Sequence, residues 1–217
     1  MITVITGLTG SGKTFLMTKM INKEWKAGAK VFANFPLTFS KTNDDIMRWH
    51  NLDELYSLGK GIIAIDEGQK LFDARRWASL PISFAEKVAQ HRKDFLDIYT
   101  TTQDIGHIDV RIRQNIHNLY NCQSLLRFPK NERQHPIFQI IRVIKKSRQV
   151  SGDTDRLTWK TQNQSLMFIS RFFTKQLYDT YATVGMNRFI CRLKREKKQW
   201  SGKVYSRDLV NQGRARL

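Results

Sequence analysis

The sequence predicts an α/β fold with a mainly parallel sheet, an appended β-hairpin and a basic C-terminal tail. Three observations predict it. Short apolar runs alternate with helical patterns through the first 128 residues, the signature of a parallel sheet covered on both faces. The octapeptide GLTGSGKT, Gly7 to Thr14, stands between the first such run and the first helical pattern. Beyond Pro129 the character changes to longer polar runs and then to a cationic terminus.

The elements follow in order. Ile2–Thr6 is a β-branched run ending at Gly7, read as a buried strand feeding a loop. Thr14–Trp25 reads as a helix, with Leu16/Met20, Met17/Ile21 and Ile21/Trp25 four apart and Gly28 as its stop. Lys30–Asn34 is a second strand, closed by Pro36, and Asp53–Leu58 a short helix. Gly61–Asp66 is a third strand, Phe84–Lys93 a helix, Phe95–Thr102 a fourth strand with a polar end, Asp109–His117 a helix and Leu119–Leu126 a fifth strand. Ile137–Ile144 and Leu157–Thr161 flank the turn-rich Ser151–Asp155, which reads as the hairpin. Phe168–Tyr181 is aromatic-rich and ambiguous. The domain reading is one domain over 1–185, with its core at 1–128 and the hairpin and a helix at 129–185, followed by the tail at 186–217.

The chain of 217 residues carries a net charge of +18, unevenly spread. Residues 1–66 hold only +2, leaving +16 for the rest, an excess that favours a polyanionic partner, nucleic acid before anionic membrane. No window approaches the ~18 consecutive apolar residues of a membrane span, and Gly7, Thr9 and Lys13 interrupt the N-terminal run too early for a secretory signal. Cys122 and Cys191 lie far apart and read as reduced thiols of a cytoplasmic protein, and the five histidines form no zinc-ligand cluster.

The chemistry begins with GLTGSGKT, which fits G-x-x-x-x-G-K-[ST]. Backbone N–H groups must wrap closely around phosphate oxygens, and Gly7, Gly10 and Gly12 permit this, with Leu8, Thr9 and Ser11 completing the loop. Lys13 reaches the β- and γ-phosphates, the Thr14 hydroxyl suits Mg²⁺, and the following helix turns its positive end to the anion. Hydrolysis needs a second carboxylate and a group that activates water. GIIAIDE supplies both: Asp66 for Mg²⁺ and Glu67 to deprotonate the water. A Glu directly after the metal Asp indicates ATPases with an extra strand between the two motifs. If the fourth strand lies beside the first, Gln103 at its polar end is placed to sense the γ-phosphate. Arg111 and Arg113 follow; either suits a finger that completes a neighbour's site, with Arg113 preferred. Arg75, Arg76, His91, Arg92 and Lys93 are candidates for backbone phosphates or the next subunit. In the tail, Arg192, Lys194, Arg195, Lys197 and Lys198, with Phe189 and Trp200 nearby, suit a nucleic-acid clamp or an anionic lipid surface.

Taken in order, GLTGSGKT, ANFPL (Ala33–Leu37), IIAIDEGQKLF (Ile62–Phe72), QHRKDFLDIYTTTQD (Gln90–Asp104), IDVRIRQNIH (Ile108–His117) and LYDTY (Leu177–Tyr181) resemble the Zot domain of filamentous-phage assembly ATPases, part of the FtsK–HerA group of DNA-pumping ATPases. The resemblance covers residues 1–183. It implies a RecA-like core of the ASCE class, ATP with Mg²⁺, and a homo-oligomeric ring, often a hexamer, that moves DNA through its centre. It implies phosphate and metal binding at Lys13 and Thr14, Mg²⁺ and catalytic carboxylates at Asp66 and Glu67, and a sensor at Gln103. It does not separate Arg111 from Arg113 as the finger. Filamentous-phage members usually continue into a membrane span, which this chain lacks. The expectation is therefore a DNA translocase packaging viral DNA into a preformed capsid, at a capsid vertex or portal, in the host cytoplasm. The alternatives are extrusion with a membrane-anchored viral protein, and a slow-hydrolysing, nucleotide-gated protein that binds DNA or membrane.

Overall fold

The computed structural model describes residues 1–39, 46–49, 59–74, 82–128, 137–149 and 158–170, with Glu54 and Leu177. All lie in the first of two units, Met1–Asp179 and Thr180–Leu217. The strands are β1 (Ile2–Thr6), β2 (Val31–Ala33), β3 (Ile46–Arg48), β4 (Gly61–Ile65), β5 (Leu96–Thr102), β6 (Asn118–Phe128), β7 (Phe138–Gln149) and β8 (Thr158–Ser170); the helices are α1 (Lys13–Lys26), α2 (Ile82–Gln90) and α3 (Val110–Arg113). One eight-stranded sheet runs β3-β2-β4-β5-β1-β6-β7-β8. It is parallel from β3 through β6, and β7 and β8 add antiparallel.

β1 and β4 are buried at every position, as strands covered on both faces require. On one face Ile5, Tyr99 and Cys122 pack with Phe15, Leu16 and Ile21 of α1. On the other, Val4, Ile98 and Leu119 pack with Phe72, Val88 and Ile112. α1 ends with Lys23 and Lys26 in its last turn, where cations complement the helix dipole, and the chain turns at Gly28 with φ 93°.

The α/β class, the mainly parallel sheet and the hairpin stand as the sequence indicates. β5 lies between β4 and β1, the extra-strand arrangement read from the Asp66–Glu67 pair. The hairpin extends the sheet, because β7 pairs along β6 from Phe128↔Phe138 to Asn118↔Ser147. Several boundaries differ. β3 was not anticipated. The strand expected from Phe95 starts at Leu96, because Phe95 takes a left-handed φ of 52°. The helix expected at Phe84–Lys93 is Ile82–Gln90 and gives way to turns. The helix expected at Asp109–His117 is only Val110–Arg113, because the His117 N–H already donates to the Ile2 carbonyl as the chain enters β6. The ambiguous stretch from Phe168 begins as the end of β8. The Ser151–Asp155 turn, and the Asp53–Leu58 helix apart from the helical Glu54, lie outside the described residues. Among the described residues no helix is long and apolar enough to cross a membrane.

Candidate nucleotide site

The loop after β1 is shaped by close backbone approach. Gly7 has φ 145°, and a Cβ there would lie 2.3 Å from the Cys122 carbonyl oxygen, so no larger residue fits. Gly10 and Gly12 take left-handed φ values of 75° and 85°. The Ser11 N–H donates to the Leu8 carbonyl (3.1 Å), and the Gly7 N–H to that of Gln103 (3.2 Å), which ties the loop to the end of β5. No side chain caps the start of α1 at Gly12, so its first-turn N–H groups are left to an anion. The buried Ser11 hydroxyl has no hydrogen-bond partner. Lys13 is buried, and its Nζ donates to the Leu8 carbonyl at 3.0 Å. Burial pushes its pKa below the usual 10.5, against the pull of the Glu67 and Asp66 carboxylates. A cradle of amides, a desolvated ammonium and an unsatisfied hydroxyl fits a polyphosphate.

Asp66 and Glu67 follow β4 directly, beside the loop. The Thr14 hydroxyl donates to Asp66 Oδ1 at 3.0 Å and the Thr101 hydroxyl to the same oxygen at 2.6 Å. Asn34, just past β2, grips the Asp66 backbone from both sides: its Nδ2 donates to the Asp66 carbonyl (3.0 Å), and the Asp66 N–H donates to its Oδ1 (2.8 Å). Glu67 is held at φ 58°, ψ 50°, a left-handed conformation that costs a non-glycine residue about 1–3 kcal/mol. Its N–H donates to the Thr101 hydroxyl (2.9 Å), and Gln69 Nε2 donates to its Oε2 (2.5 Å). A Cβ on the next residue, Gly68, would lie 2.1 Å from Thr100 Oγ1, so only glycine lets the turn dock on β5. Thr14 and Asp66 are the oxygen donors suited to a hard divalent cation.

Gln103 lies where the strand order puts it. It leaves β5 beside the loop, and its Nε2 reaches Thr9 Oγ1 at 3.4 Å. The two arginines differ. Arg111 is clasped to the buried Asp109 through Nε (3.1 Å) and Nη2 (2.9 Å), while the Arg111 N–H also donates to Asp109 (2.8 Å). The guanidinium holds the Asp109 carboxyl below its usual range. Arg113 Nε is buried without a hydrogen-bond partner. α3, which carries both, packs through Ile112 on the sheet face opposite α1. His91 is 2% exposed, so it is a buried group rather than a contact surface; Arg92 and Lys93 are exposed. His91 and Arg92 line a cleft of about 500 Å³ with His117 and Arg148. Arg75, Arg76 and the tail cations Arg192, Lys194, Arg195, Lys197 and Lys198 lie outside the described residues.

Sequence reasoning missed four neighbours of the loop and the acid pair. Asn34 and Thr101 stand inside motifs already singled out, but their partner becomes visible only once β2, β4 and β5 are adjacent. Gln139 and Arg127 come from the ribbon β6–β7–β8. Gln139 Nε2 donates to the Gly10 carbonyl (2.7 Å) and to Ser124 Oγ (2.9 Å). A Cβ on Gly10 would lie 2.8 Å from Arg127 Nη1, and one on Gly12 would lie 2.8 Å from Ile169 Cδ1.

The family model described as Zonular occludens toxin (Zot) matches residues 1–165. No curated protein matches the chain. The crystal structure of the N-terminal domain of zonular occludens toxin from Neisseria meningitidis is 19% identical, over 82% of this chain and 98% of that one, with a TM-score of 0.52. The fold is therefore shared. Two lesser likenesses, each 13% identical over 64% of this chain and 90% of the other at a TM-score of 0.44, are B204, the DNA-packaging ATPase of Sulfolobus Turreted Icosahedral Virus, and the genome packaging NTPase B204 of Sulfolobus turreted icosahedral virus 2 in complex with ATP-gammaS.

Proposed function

The chain belongs to the Zot family, whose P-loop chemistry implies an NTPase, and from that premise we propose that it is an ATP-driven DNA translocase of virus assembly. The observation that carries the reading is the convergence of the Thr14 and Thr101 hydroxyls on Asp66 Oδ1, with Glu67 next in the chain. It aims an acid pair at a phosphate cradle.

In this reading the loop amides and Lys13 hold the polyphosphate of ATP, and Thr14 and Asp66 hold Mg²⁺. The metal, when bound, neutralises charge on the β- and γ-phosphates. Glu67 takes the proton of the attacking water, and Gln103 orients that water from the end of β5. Arg113 is assigned as the finger offered to a neighbouring copy, because Arg111 is already engaged by Asp109. A finger given in trans requires a neighbouring copy, and we assign the assembly as a hexameric ring. The cations beyond residue 66 grip the phosphate backbone of viral DNA. The assigned task is packaging into a preformed capsid.

The test is phosphate release with and without DNA, for the native protein and Glu67→Gln. DNA-stimulated turnover that disappears in the variant, with ATP binding retained, supports the motor. Turnover unchanged in Glu67→Gln removes Glu67 from its role, and turnover indifferent to DNA removes the translocase. Uptake of duplex DNA by empty capsids in the presence of the protein and ATP tests the task.

A further inference from the structure

The ribbon meets the phosphate loop along one line. Arg127 of β6 is the register partner of Gln139 of β7, which is the partner of Ile169 of β8. Directly paired residues of antiparallel strands share a face of the sheet. This rank faces the loop at all three positions: Arg127 at Gly10, Gln139 on the Gly10 carbonyl, and Ile169 at Gly12.

A bulge decides which residues form the rank. Ser124 pairs with Ile141, but Leu126 pairs with Ile140, so Leu125 is an extra residue on β6. Side chains alternate between faces, and a one-residue slip exchanges them. With Leu125 in regular register, Leu126 would oppose Gln139 and turn to the loop, and Arg127 would turn away. The bulge reverses this. It sends Leu126 and Phe128 to the other face, where Phe128 stacks on Phe138 at 5.4 Å, and brings the guanidinium over the loop. Gln139 fixes the opposing side: it is 3% exposed, and its amide donates both to Gly10 and to Ser124, so loop and strand are held at one spacing. The cation beside a left-handed glycine of the phosphate cradle is a planar, permanently charged donor set matched to phosphate oxygens.

We propose that Arg127 is a further ligand of the nucleotide's phosphates, aimed at them by the β6 bulge and positioned by the Gln139 hold on Gly10. The inference rests on the nucleotide site proposed above. It makes the antiparallel ribbon part of the binding site instead of only an extension of the sheet.

The test measures equilibrium binding of a fluorescent ATP analogue, and its displacement by unlabelled ATP and by inorganic tripolyphosphate, for the native protein, Arg127→Ala and Arg127→Lys. Melting curves are recorded without nucleotide. Loss of one charge-assisted contact predicts roughly tenfold weaker binding of both ATP and tripolyphosphate in Arg127→Ala. The lysine variant retains part of the affinity, and the nucleotide-free melting temperature stays unchanged. Unaltered affinity in Arg127→Ala overturns the proposal. So does weakened ATP binding with unaltered tripolyphosphate binding, which transfers the contact to the sugar or base. A melting temperature lowered alike in both variants makes Arg127 a brace and also overturns it. Failure of the native protein to bind either probe instead overturns the nucleotide site itself.

Discussion

β1 is five residues long and buried throughout, whereas β8 is thirteen residues long and buried only at Ile169. The first is the centre of the parallel half of the sheet; the second is the last strand of the antiparallel ribbon. The single buried residue of β8 is the one that meets Gly12. Burial in β8 is thus confined to the residue that meets the loop, while in β1, β2 and β4 it extends to every position. The parallel half carries the candidate loop and acid pair, and the ribbon meets that loop through Arg127, Gln139 and Ile169.

The largest effect that separates the two halves is catalytic. Lys13→Ala removes the loop's ammonium without touching the ribbon, and turnover falls by about 100- to 1,000-fold in a phosphate-release assay, with the nucleotide-free fold intact. A loss of fold instead would show that the loop also holds the sheet together. The next effect tests the burial contrast within β8 alone. Ile169→Ala costs about 2–4 kcal/mol in urea unfolding, whereas Phe168→Ala, exposed and stacked on Phe138 at 6.1 Å, costs under about 1 kcal/mol. Equal costs would erase the distinction.

A smaller effect belongs to Asn34. Its removal leaves the Asp66 backbone amide and carbonyl without their partners, which costs about 1–2 kcal/mol. Phosphate release slows more than nucleotide affinity declines, because the acid pair shifts while the loop stays. The smallest is a pH effect where the chain enters β5 and β6. His91 is driven below its ordinary pKa of 6.5, chiefly by burial and further by the Arg92 charge, although its bond to the Val88 carbonyl and the Asp97 charge pull the other way. His117 meets it edge-on at 5.4 Å and is lowered too, chiefly by burial. The folded state therefore binds fewer protons than the unfolded state. Stability is fully present above about pH 7 and declines as pH falls through the unfolded value near 6.5. Melting temperatures from pH 8 to pH 5 check the direction, and His91→Gln flattens the profile.

The nucleotide loop was legible because its chemistry requires consecutive residues, Gly7 to Thr14, on one strand–helix junction. The same holds for Asp66 and Glu67, where adjacency in the chain is adjacency in space. Gln103 needed one further step, the placing of β5 beside β1, which the acid pair already implied. The neighbours of the acid pair were less accessible. Asn34 and Thr101 were in view as letters, but their contacts depend on strand order. The proposed assignment of Arg113 over Arg111 rests on Asp109, two residues from Arg111, whose carboxylate a reading for cations passes over. Arg127 and Gln139 were hidden for a stronger reason. Their facing depends on a bulge at Leu125, and the run Ser124–Phe128 contains no glycine or proline to announce it.

That bulge bears on how relatives of this chain are compared. A substitution within Asn118–Phe128 changes one side chain, but the gain or loss of one residue there exchanges the two faces of the strand's end. A comparison by column that slides a gap through this stretch lines up Arg127 with residues that point the other way. The informative quantity at this end of β6 is the count of residues from Cys122 to Phe128, and a homologue that keeps the arginine but alters that count has not kept the same residue.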